Sequence, residues 1–392
     1  MKETEQKWSR RQFITTVTGA GTALMLTPQL SWAISKLDPA TAAIVSKIIG
    51  IGIDTHNHID VPLNTAELPG PQIDLSGEMK KSGLAAICMT FAVDYQQLKN
   101  PGDAYTRFIN GLDAMDKILE RNNMKRSLNL SDIKTAHKKQ KPTVIQSVEG
   151  GHFLEGQLDR LNVAYGRGLR HLGLLHDHDA SVPLGDVFTN PVQFNGLTSF
   201  GADVIKECNK LGILVDLSHA DNTTVNAALK IATKPVLISH TGLDTQLGQN
   251  ENFAKMMKPR LISKEQAKIV ADAGGVIGVW THLADTPFEY AQNIRVMVDV
   301  AGIDHVCIGT DTKLTPSYRS PNKSGENGPK PQNNQKQERP GERTNFTWKD
   351  QTEGFYYTVV DAMLKTGFTE NEIIKIGGGN FLRIFDAATA VH

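Results

Sequence analysis

The chain has 392 residues, and its 42 lysines and arginines balance 42 aspartates and glutamates, so the formal net charge is zero. Its mean hydropathy is −0.29, and 40% of its residues are hydrophobic, as in a soluble globular protein. This composition excludes an acidic disordered chain and a nucleic-acid-binding protein, which would carry a basic excess. No run of 18 apolar residues predicts a membrane span. The chain has three cysteines, too few for a disulfide framework, and Cys88 and Cys307 lie in apolar runs where we expect them to be buried.

Residues 1–33 have the organisation of an export signal. Arg10 and Arg11 are followed, after one residue, by Phe13, and a weakly apolar stretch covers 14–30 before the segment ends in Ser-Trp-Ala. This order is typical of a twin-arginine signal. The alternative is a flexible arm with a chance pair of arginines. The export interpretation predicts a bacterial periplasmic or secreted protein, with no integral membrane span after removal of the signal.

The remaining chain, 34–392, alternates apolar runs with helical patterns and is interpreted as a single domain. Predicted strands cover 50–54, 84–92, 143–149, 168–175, 212–218, 234–239, 274–280 and 305–310. Predicted helices cover 103–121, 196–211, 222–232, 263–273 and 287–301. Eight continuous apolar strands separated by helices favour an α/β fold of the (β/α)8 TIM barrel type. The competitor is a doubly wound open sheet, but a Gly-rich phosphate loop does not follow the first strand.

One segment, 315–347, is rich in Pro, Asn, Lys, Gln and Gly and poor in aliphatic residues. We interpret it as a long polar surface loop inserted after the last strand. On a barrel this loop would lie over the catalytic face, either as a lid or, as we slightly favour, as an insertion.

Polar residues with metal-binding chemistry stand at the carboxyl ends of the predicted strands, where barrel enzymes build their sites. They are Asp54, His56, His58, Glu149, His176, His219, His240 and Asp311. A single histidine at such a position is as readily explained by core packing. Burying all of them without a metal or partners would cost several kcal/mol each. Imidazole and carboxylate together suit zinc or a similar divalent ion.

The number of ions is open at this stage. His56, His58, His219 and His240 would suffice for one His-rich site, with Glu149 left as a base. Alternatively, Glu149 bridges two ions, each completed by two of the histidines. The bridged arrangement uses every ligand and leaves both ions open to a shared water. We favour it.

Several ordered motifs resemble the membrane (renal) dipeptidase family of zinc metallopeptidases, over nearly the whole chain from 53 onward. They are Asp-Thr-His-Asn-His at 54–58, Val-Glu-Gly-Gly-His at 148–152, Gly-Leu-Arg-His-Leu at 168–172, Val-Asp-Leu-Ser-His at 215–219, Ile-Ser-His at 238–240, Pro-Arg-Leu at 259–261 and Gly-Thr-Asp at 309–311. The resemblance implies a barrel of the metal-dependent hydrolase type, a dipeptide as substrate and two Zn2+ ions per chain. Family members often form dimers, so a homodimer is expected, although no interface is evident in the sequence.

The resemblance also implies roles for individual residues. His56, His58 and Glu149 would hold one ion, and Glu149, His219 and His240 the other, with a hydroxide between the ions attacking the peptide carbonyl. Catalytic His176 would bind the substrate and stabilise the developing oxyanion. Catalytic Asp311 would accept the water proton and pass it to the leaving amine. Arg260 would pair with the substrate's terminal carboxylate, unless it is a solvated arginine before a helix capped by Ser263. His152 and His178 lie near the same rim.

Two departures from the family pattern affect this transfer. The family has His-x-Asp on its first strand, whereas this chain has His56 and His58, so the metal cage loses one negative charge. If His58 points away, Asp54 or Asp60 would take its place. The family continues with Phe-Asp-Gly after Asp311, whereas this chain continues with Thr-Lys-Leu. Pocket residues from that region therefore do not transfer.

We therefore predict a zinc-dependent dipeptidase, a hydrolase that acts in proteolysis. The alternative within the same chemistry is a related dinuclear amidohydrolase that acts on another amide, a lactone or a β-lactam. A third interpretation is a periplasmic binding protein that retained the fold. The complete ligand set argues against it, because binding alone requires neither a bridging glutamate nor a proton-accepting aspartate.

Overall fold

The computed structural model describes residues 39–95, 97–318 and 341–390. The export signal predicted at 1–33 and the residues 319–340 of the predicted loop lie outside this part of the chain, so both stay predictions. Among the described residues, no helix combines the length and the apolar character that crossing a membrane requires.

All eight predicted strands form, and they lie side by side in chain order in one parallel sheet. Their bounds are β1 Ile53–His58, β2 Ala86–Thr90, β3 Thr143–Glu149, β4 Leu169–Gly173, β5 Leu214–Asp216, β6 Leu237–Thr241, β7 Val276–Val279 and β8 Val306–Ile308, followed by the short β9, Thr312–Lys313. Each strand is buried along its length apart from the half-buried last residue of β9. This burial is why the strands are continuous apolar runs rather than alternating ones.

The sheet curls into a (β/α)8 barrel of the TIM type. β8 pairs with β7, and β9, four residues further along the chain, pairs with β1 through Asn57 and His58. Between them, the amide of Gly309 donates to Val279 and that of Asp311 donates to the carbonyl of His56. The stretch from β8 to β9 thus contacts both ends of the sheet.

Most helices lie between successive strands, as the βαβ pattern predicts, while one precedes β1 and three follow β9. They are α1 Pro39–Ile48, α2 Leu75–Ser82, α3 Asp103–Arg121, α4 Leu130–Lys138, α5 Arg160–Gly166, α6 Ser199–Leu211, α7 Asn222–Ile231, α8 Glu251–Met257, α9 Lys264–Asp272, α10 Pro287–Ala301, α11 Phe355–Lys365, α12 Glu370–Ile374 and α13 Asn380–Thr389. The side chains of Thr198, Asp221, Ser263 and Thr286 accept hydrogen bonds from the first turns of α6, α7, α9 and α10. Such caps satisfy amides that the helix cannot pair internally.

The predicted position of the first strand, 50–54, is wrong by several residues. β1 begins at Ile53 and continues through His58, so His56 and His58 lie on the strand rather than after it. Apolar character marked only the beginning of this strand. The polar second half of β1 forms a strand because it is buried in the barrel, and the local sequence gives no sign of that burial.

The barrel interior is closed at one end by α13. Inward-facing residues from β1, β2, β3 and β5 to β8 form a cluster with Phe381, Ile384 and Phe385 of that helix. Cys88 and Cys307 belong to this cluster, and all three cysteines are buried and free, which confirms the expectation for the first two. The opposite end, at the carboxyl ends of the strands, is left for polar side chains.

Both ends of the predicted loop 315–347 pack into the barrel. Thr315 is fully buried, and Thr344 is buried where its hydroxyl contacts Asn57 and Thr312. Arg343 donates to the carbonyl of Leu314. The expectation of a surface loop therefore does not extend to these residues.

Candidate metal centre

The predicted metal ligands converge on Glu149 at the carboxyl end of the barrel. His219 Nε2 lies 3.0 Å and His56 Nε2 lies 3.4 Å from Glu149 Oε1. His240 Nε2 lies 3.7 Å from the same oxygen, and His58 Nε2 lies 3.6 Å from Oε2. All five side chains are buried, and Glu149 is only 3% exposed. The structure thus brings together five residues predicted from β1, β3, the end of β5, and β6.

The four imidazoles form two close pairs beside the carboxylate. The Nε2 atoms of His56 and His58 are 3.2 Å apart, and those of His219 and His240 are 3.1 Å apart. The bridged arrangement assigns these two pairs to separate ions, and the dinuclear state stays a prediction. Three sets of ligand atoms lie within 4.8 Å of one another: His56 with Glu149 and His240, His56 with His58 and Asp311, and Glu149 with His176 and His219.

The other ring nitrogen of each imidazole has a polar partner. His58 Nδ1 contacts the Tyr95 hydroxyl at 2.9 Å, and His219 Nδ1 contacts Asp177 Oδ1 at 3.2 Å. The Ser239 hydroxyl contacts Nδ1 of both His56 and His240. Metal-binding histidines usually have such a partner, which orients the ring and leaves the opposite nitrogen for the metal.

The donor set fits divalent cations. Glu149 Oε2 is buried and has no hydrogen-bond donor among the described residues, a costly state for a carboxylate oxygen. Four imidazole nitrogens lie close to this carboxylate, and each offers a lone pair to a metal when that nitrogen carries no proton. A pair of cations at this position would satisfy both the carboxylate and the lone pairs, and imidazole with carboxylate is the ligand chemistry of zinc.

The electrostatics of the cluster favour a charged carboxylate at its centre. Burial raises the pKa of Glu149, but the nearby His176 and His56 and the hydrogen bond from His219 bring it well below its ordinary value. Burial lowers the pKa of His219, but its hydrogen bonds to Asp177 and Glu149 raise it to about 10. Without a metal, the two carboxylates therefore hold a proton on His219.

Asp311 lies at the edge of the same cluster, between two imidazoles. Its Oδ1 is 3.2 Å from His58 Nε2, and its Oδ2 is 3.1 Å from His282 Nε2. Burial raises the pKa of Asp311, but the nearby His240 and these two hydrogen bonds hold it well below its ordinary value. Asp311 and His219 both have left-handed backbones, with φ of 56° and 67°. Non-glycine residues adopt that conformation at a cost that proteins tend to accept at functional sites.

His176 is held against the cluster by a carboxylate that the sequence interpretation missed. Its Nδ1 lies 2.6 Å from Asp94 Oδ1, and its Nε2 lies 3.3 Å from Glu149 Oε2. Asp94 also contacts His178 at 3.1 Å and His152 at 3.7 Å; the His178 side chain is exposed, whereas His152 is buried. Burial raises the pKa of Asp94, but the hydrogen bond and charge of His176 lower it to about 2.

Arg260 reaches the site but already has an acidic partner. Its Nη2 lies 3.1 and 3.0 Å from the two oxygens of Asp177. Asp177 Oδ1 also contacts His219, so one carboxylate joins the arginine to a metal ligand. Ser263 caps α9 just beyond, as expected, but Arg260 is only partly solvated, with 26% of its side chain exposed.

The remaining alternatives for the first strand do not hold. His58 points into the cluster. Asp54 accepts hydrogen bonds from Thr310 and Asn57, and Asp60 pairs with Lys313 at 2.7 Å. Neither aspartate takes the position of His58.

A cavity of about 190 Å³ lies over the cluster. Phe188, Met257 and Trp280 give it an apolar wall, and the Phe188 ring stacks on His219 at 5.3 Å. Arg260 and Asp177 form its polar side. The space suits a small substrate with one anionic end.

Five site residues were missed from the sequence: Asp94, Tyr95, Asp177, Ser239 and His282. Asp94 and Tyr95 follow β2, Asp177 follows His176, and His282 follows β7. Inspection of the polar residues that follow β2, β4 and β7 would have indicated these four residues. Ser239 lies within β6, and no local signal distinguishes it.

Comparison with known proteins agrees with this geometry. The family model described as membrane dipeptidase (Peptidase family M19) matches residues 43–318. The chain is 26% identical to dipeptidase 3 of Mus musculus over 255 residues, which are 63% of this chain and only 44% of that relative. An amidohydrolase from Pseudomonas aeruginosa has a similar structure, with a TM-score of 0.67, 21% identity and coverage of 89% of this chain and 98% of that one. The probable dipeptidase PvdM from the same organism also has a TM-score of 0.67, with 16% identity over 90% and 99% of the two chains. At these identities the two structures support the fold.

Proposed function

We propose, from the premise that this chain belongs to the membrane dipeptidase family, that it is a metallo-dipeptidase that hydrolyses the peptide bond of dipeptides with two bound Zn2+ ions. One observation carries the proposal: the Nε2 atoms of four imidazoles, which form two close pairs, all lie within 3.7 Å of the Glu149 carboxylate. When bound there, two divalent ions would polarise the scissile carbonyl and make a water acidic enough to attack it.

The residues around the ligands perform the other steps. Asp311 is ionised, and His282 holds its Oδ2, while its Oδ1 lies 3.2 Å from His58 Nε2 and faces the cluster. From there Oδ1 would take a proton from the attacking water and return it to the leaving amine. Asp94 holds His176 at Nδ1, which directs Nε2 towards the cluster. In that position the ring, when it carries a proton on both nitrogens, would donate from Nε2 to the oxygen on which negative charge develops.

Arg260 sets the length of the substrate. Asp177 contacts only one of its nitrogens, so the rest of the guanidinium is available to a carboxylate. A dipeptide that places its scissile carbonyl over Glu149 would extend its terminal carboxylate by one residue, towards Arg260. The charge-assisted pair would orient the substrate.

A second candidate is a related amidohydrolase that acts on a neutral amide, a lactone or a β-lactam. The contact between Arg260 and Asp177 favours this candidate, because Asp177 already neutralises part of the Arg260 charge. A pocket whose arginine is partly neutralised discriminates less strongly against substrates that lack a carboxylate.

A substrate panel with zinc-loaded protein tests both candidates. We expect cleavage of free dipeptides, slower cleavage of their C-terminal amides, and a loss of about 100-fold or more on Glu149→Gln, because the substitution removes the shared ligand. Glu155→Gln is the matched control, since that carboxylate pairs with Arg160 outside the cluster. Full activity of Glu149→Gln would overturn the proposal. Amides or lactones cleaved faster than free dipeptides would favour the second candidate.

A further inference from the structure

A buried polar network lies beneath the metal centre, inside the barrel. At its centre is the hydroxyl of Ser239, which is fully buried. Its Oγ lies 2.6 Å from Asp216 Oδ2, 3.2 Å from His56 Nδ1 and 2.9 Å from His240 Nδ1. The two imidazole rings lie beside each other, with centroids 4.0 Å apart. One hydroxyl thus contacts two histidines that the proposed function assigns to different ions.

The direction of each hydrogen bond follows from counting protons. Asp216 accepts from the amides of Ser218 and Ser239 and lies 3.2 Å from His171 Nε2. Burial raises the pKa of Asp216, but the hydrogen bond and charge of His171 hold it far below its ordinary value, so the group is a carboxylate and can only accept. The short contact with Ser239 therefore uses the single hydroxyl proton of the serine.

With its proton committed to Asp216, the Ser239 oxygen can only accept from the imidazoles. A hydroxyl oxygen has two lone pairs, and two ring nitrogens lie within reach. Ser218 Oγ also lies 3.2 Å from Ser239 Oγ, but the Ser218 hydroxyl donates its own proton to Asp216 Oδ1 at 2.8 Å. Both histidines must then carry a proton on Nδ1, which leaves the lone pair of each Nε2 directed at Glu149.

We infer that Ser239, oriented by Asp216, is a positioning residue that fixes His56 and His240 together in the metal-binding tautomer. The inference rests on the proposed function in that it takes these histidines as metal ligands. It adds that the two ion sites share one orienting hydroxyl. Loss of that hydroxyl would weaken both sites at once, although it touches neither ion.

The tautomers themselves are measurable without a metal. Nitrogen-15 NMR of metal-free protein labelled at histidine distinguishes protonation at Nδ1 from protonation at Nε2. We expect Nδ1 protonation at His56 and His240 in the wild type and a mixture of forms in Ser239→Ala. Protonation at Nε2 of both residues in the wild type would overturn the inference.

Metal affinity gives the second readout, by titration with zinc and a competing chelator. We expect Ser239→Ala to bind both ions about 10- to 100-fold more weakly, the usual effect of removing a partner of a metal-binding histidine. Ser218→Ala is the matched control, because it removes a neighbouring hydroxyl bound to the same aspartate but to neither ring. We expect it to bind zinc like the wild type.

A second variant guards against failure of Ser239→Ala to fold. Asp216→Asn retains the shape but introduces an amide that can donate to Ser239, so the hydroxyl proton is no longer committed. We expect weaker binding of both ions, with thermal unfolding of the metal-free protein as the check on folding. Unchanged affinity in two folded variants would overturn the inference. A wild type that binds no zinc would instead overturn the proposed function, and the tautomer measurement would still decide the role of Ser239.

Discussion

Arg260 presents only part of its guanidinium to the cavity, because Asp177 engages Nη2. The pair is partly exposed on both sides, so water screens its charges. Asp177 is also fixed by His219, which in turn lies against Glu149. The arginine is therefore oriented relative to the metal ligands.

This arrangement makes Arg260→Lys informative. Lysine keeps the charge but offers a single ammonium group that cannot contact Asp177 and a substrate carboxylate in the planar geometry of arginine. A hydrogen bond to a charged group contributes about 1.5–3 kcal/mol, so we expect KM for free dipeptides to rise by about 10-fold or more. The KM for the C-terminal amides should change little. Steady-state kinetics on matched pairs of free and amidated substrates measure the difference.

The control for this substitution is Arg295→Lys, in which the exchanged arginine pairs with Glu372 far from the cluster. It should leave both KM values unchanged. An equal rise in KM for free and amidated dipeptides on Arg260→Lys would contradict a carboxylate clamp. It would indicate a general disturbance of the cavity instead.

His58 shows how a departure from the family pattern is accommodated. The sequence indicated one negative charge fewer in the cage. The structure surrounds His58 with the Tyr95 hydroxyl at Nδ1 and Asp311 at Nε2. The tyrosine orients the ring, and the aspartate supplies a nearby negative charge. Tyr95 itself is 55% exposed, so its ring also forms part of the entrance.

At the scale of elements, the strands were predictable because burial on both faces makes them apolar throughout. The helices Asp103–Arg121 and Pro287–Ala301 agree with prediction at both ends. β9 was not predictable, because two polar residues, Thr312 and Lys313, form it only by pairing with β1. The candidate site divides in the same way. The residues at strand ends that cluster around Glu149 were predictable from their positions, whereas Ser239 depends on packing between strands that are distant in sequence.

The connection from β4 to α6 is a second element whose order depends on tertiary contacts. Asp186 is buried within it and accepts hydrogen bonds from the amides of Gln193, Phe194 and Gly196. Burial raises the pKa of Asp186, but these backbone hydrogen bonds bring it below its ordinary value of 3.8. This connection carries Phe188, which packs on His219. The hydrogen bonds that hold this connection in place therefore also help to position Phe188 in the wall of the cavity.

We expect Asp186→Asn to lower the free energy of unfolding by about 1–3 kcal/mol at pH 7, because asparagine cannot accept all of these hydrogen bonds. The folded pKa lies below the unfolded value, so the stabilisation is complete above about pH 5 and is lost as the pH falls through 3.8 and below. The difference in unfolding free energy between wild type and variant should therefore narrow as the pH falls below 4. Urea unfolding across this range measures it.

Asp203→Asn provides the comparison for that measurement. Asp203 is exposed on α6 and pairs only with Lys206 one turn away, a contact worth little in water. The free energy of unfolding of Asp203→Asn should match that of the wild type at every pH. If Asp186→Asn behaved in the same way, the loop would not depend on the carboxylate.

For the whole molecule, closure of the barrel and assembly of the site depend on the same close contacts. A Cβ at Gly278 or at Gly309 would overlap the carbonyl oxygen of Ser239. β7 and the end of β8 can therefore approach β6 this closely only because glycine occupies both positions. The same approach brings Thr55 of β1 into hydrogen bonds with Ser239 and Ile308. Packing at the barrel wall thus sets the separation of the ligands above it.

Because the candidate ligands come from β1, β3, β6 and the end of β5, bound metal would join strands that are distant in sequence. A ligand that binds only the folded state adds about 2.7 kcal/mol per site at 100 times its Kd. We expect zinc to raise the Tm of the chelator-treated protein by several degrees, measured by calorimetry. In His240→Ala the shift should be smaller, since that histidine faces both Glu149 and His219. His137→Ala, on the exposed side of α4, should keep the full shift. An equal shift in His240→Ala would show that zinc stabilises the fold from somewhere other than the barrel mouth.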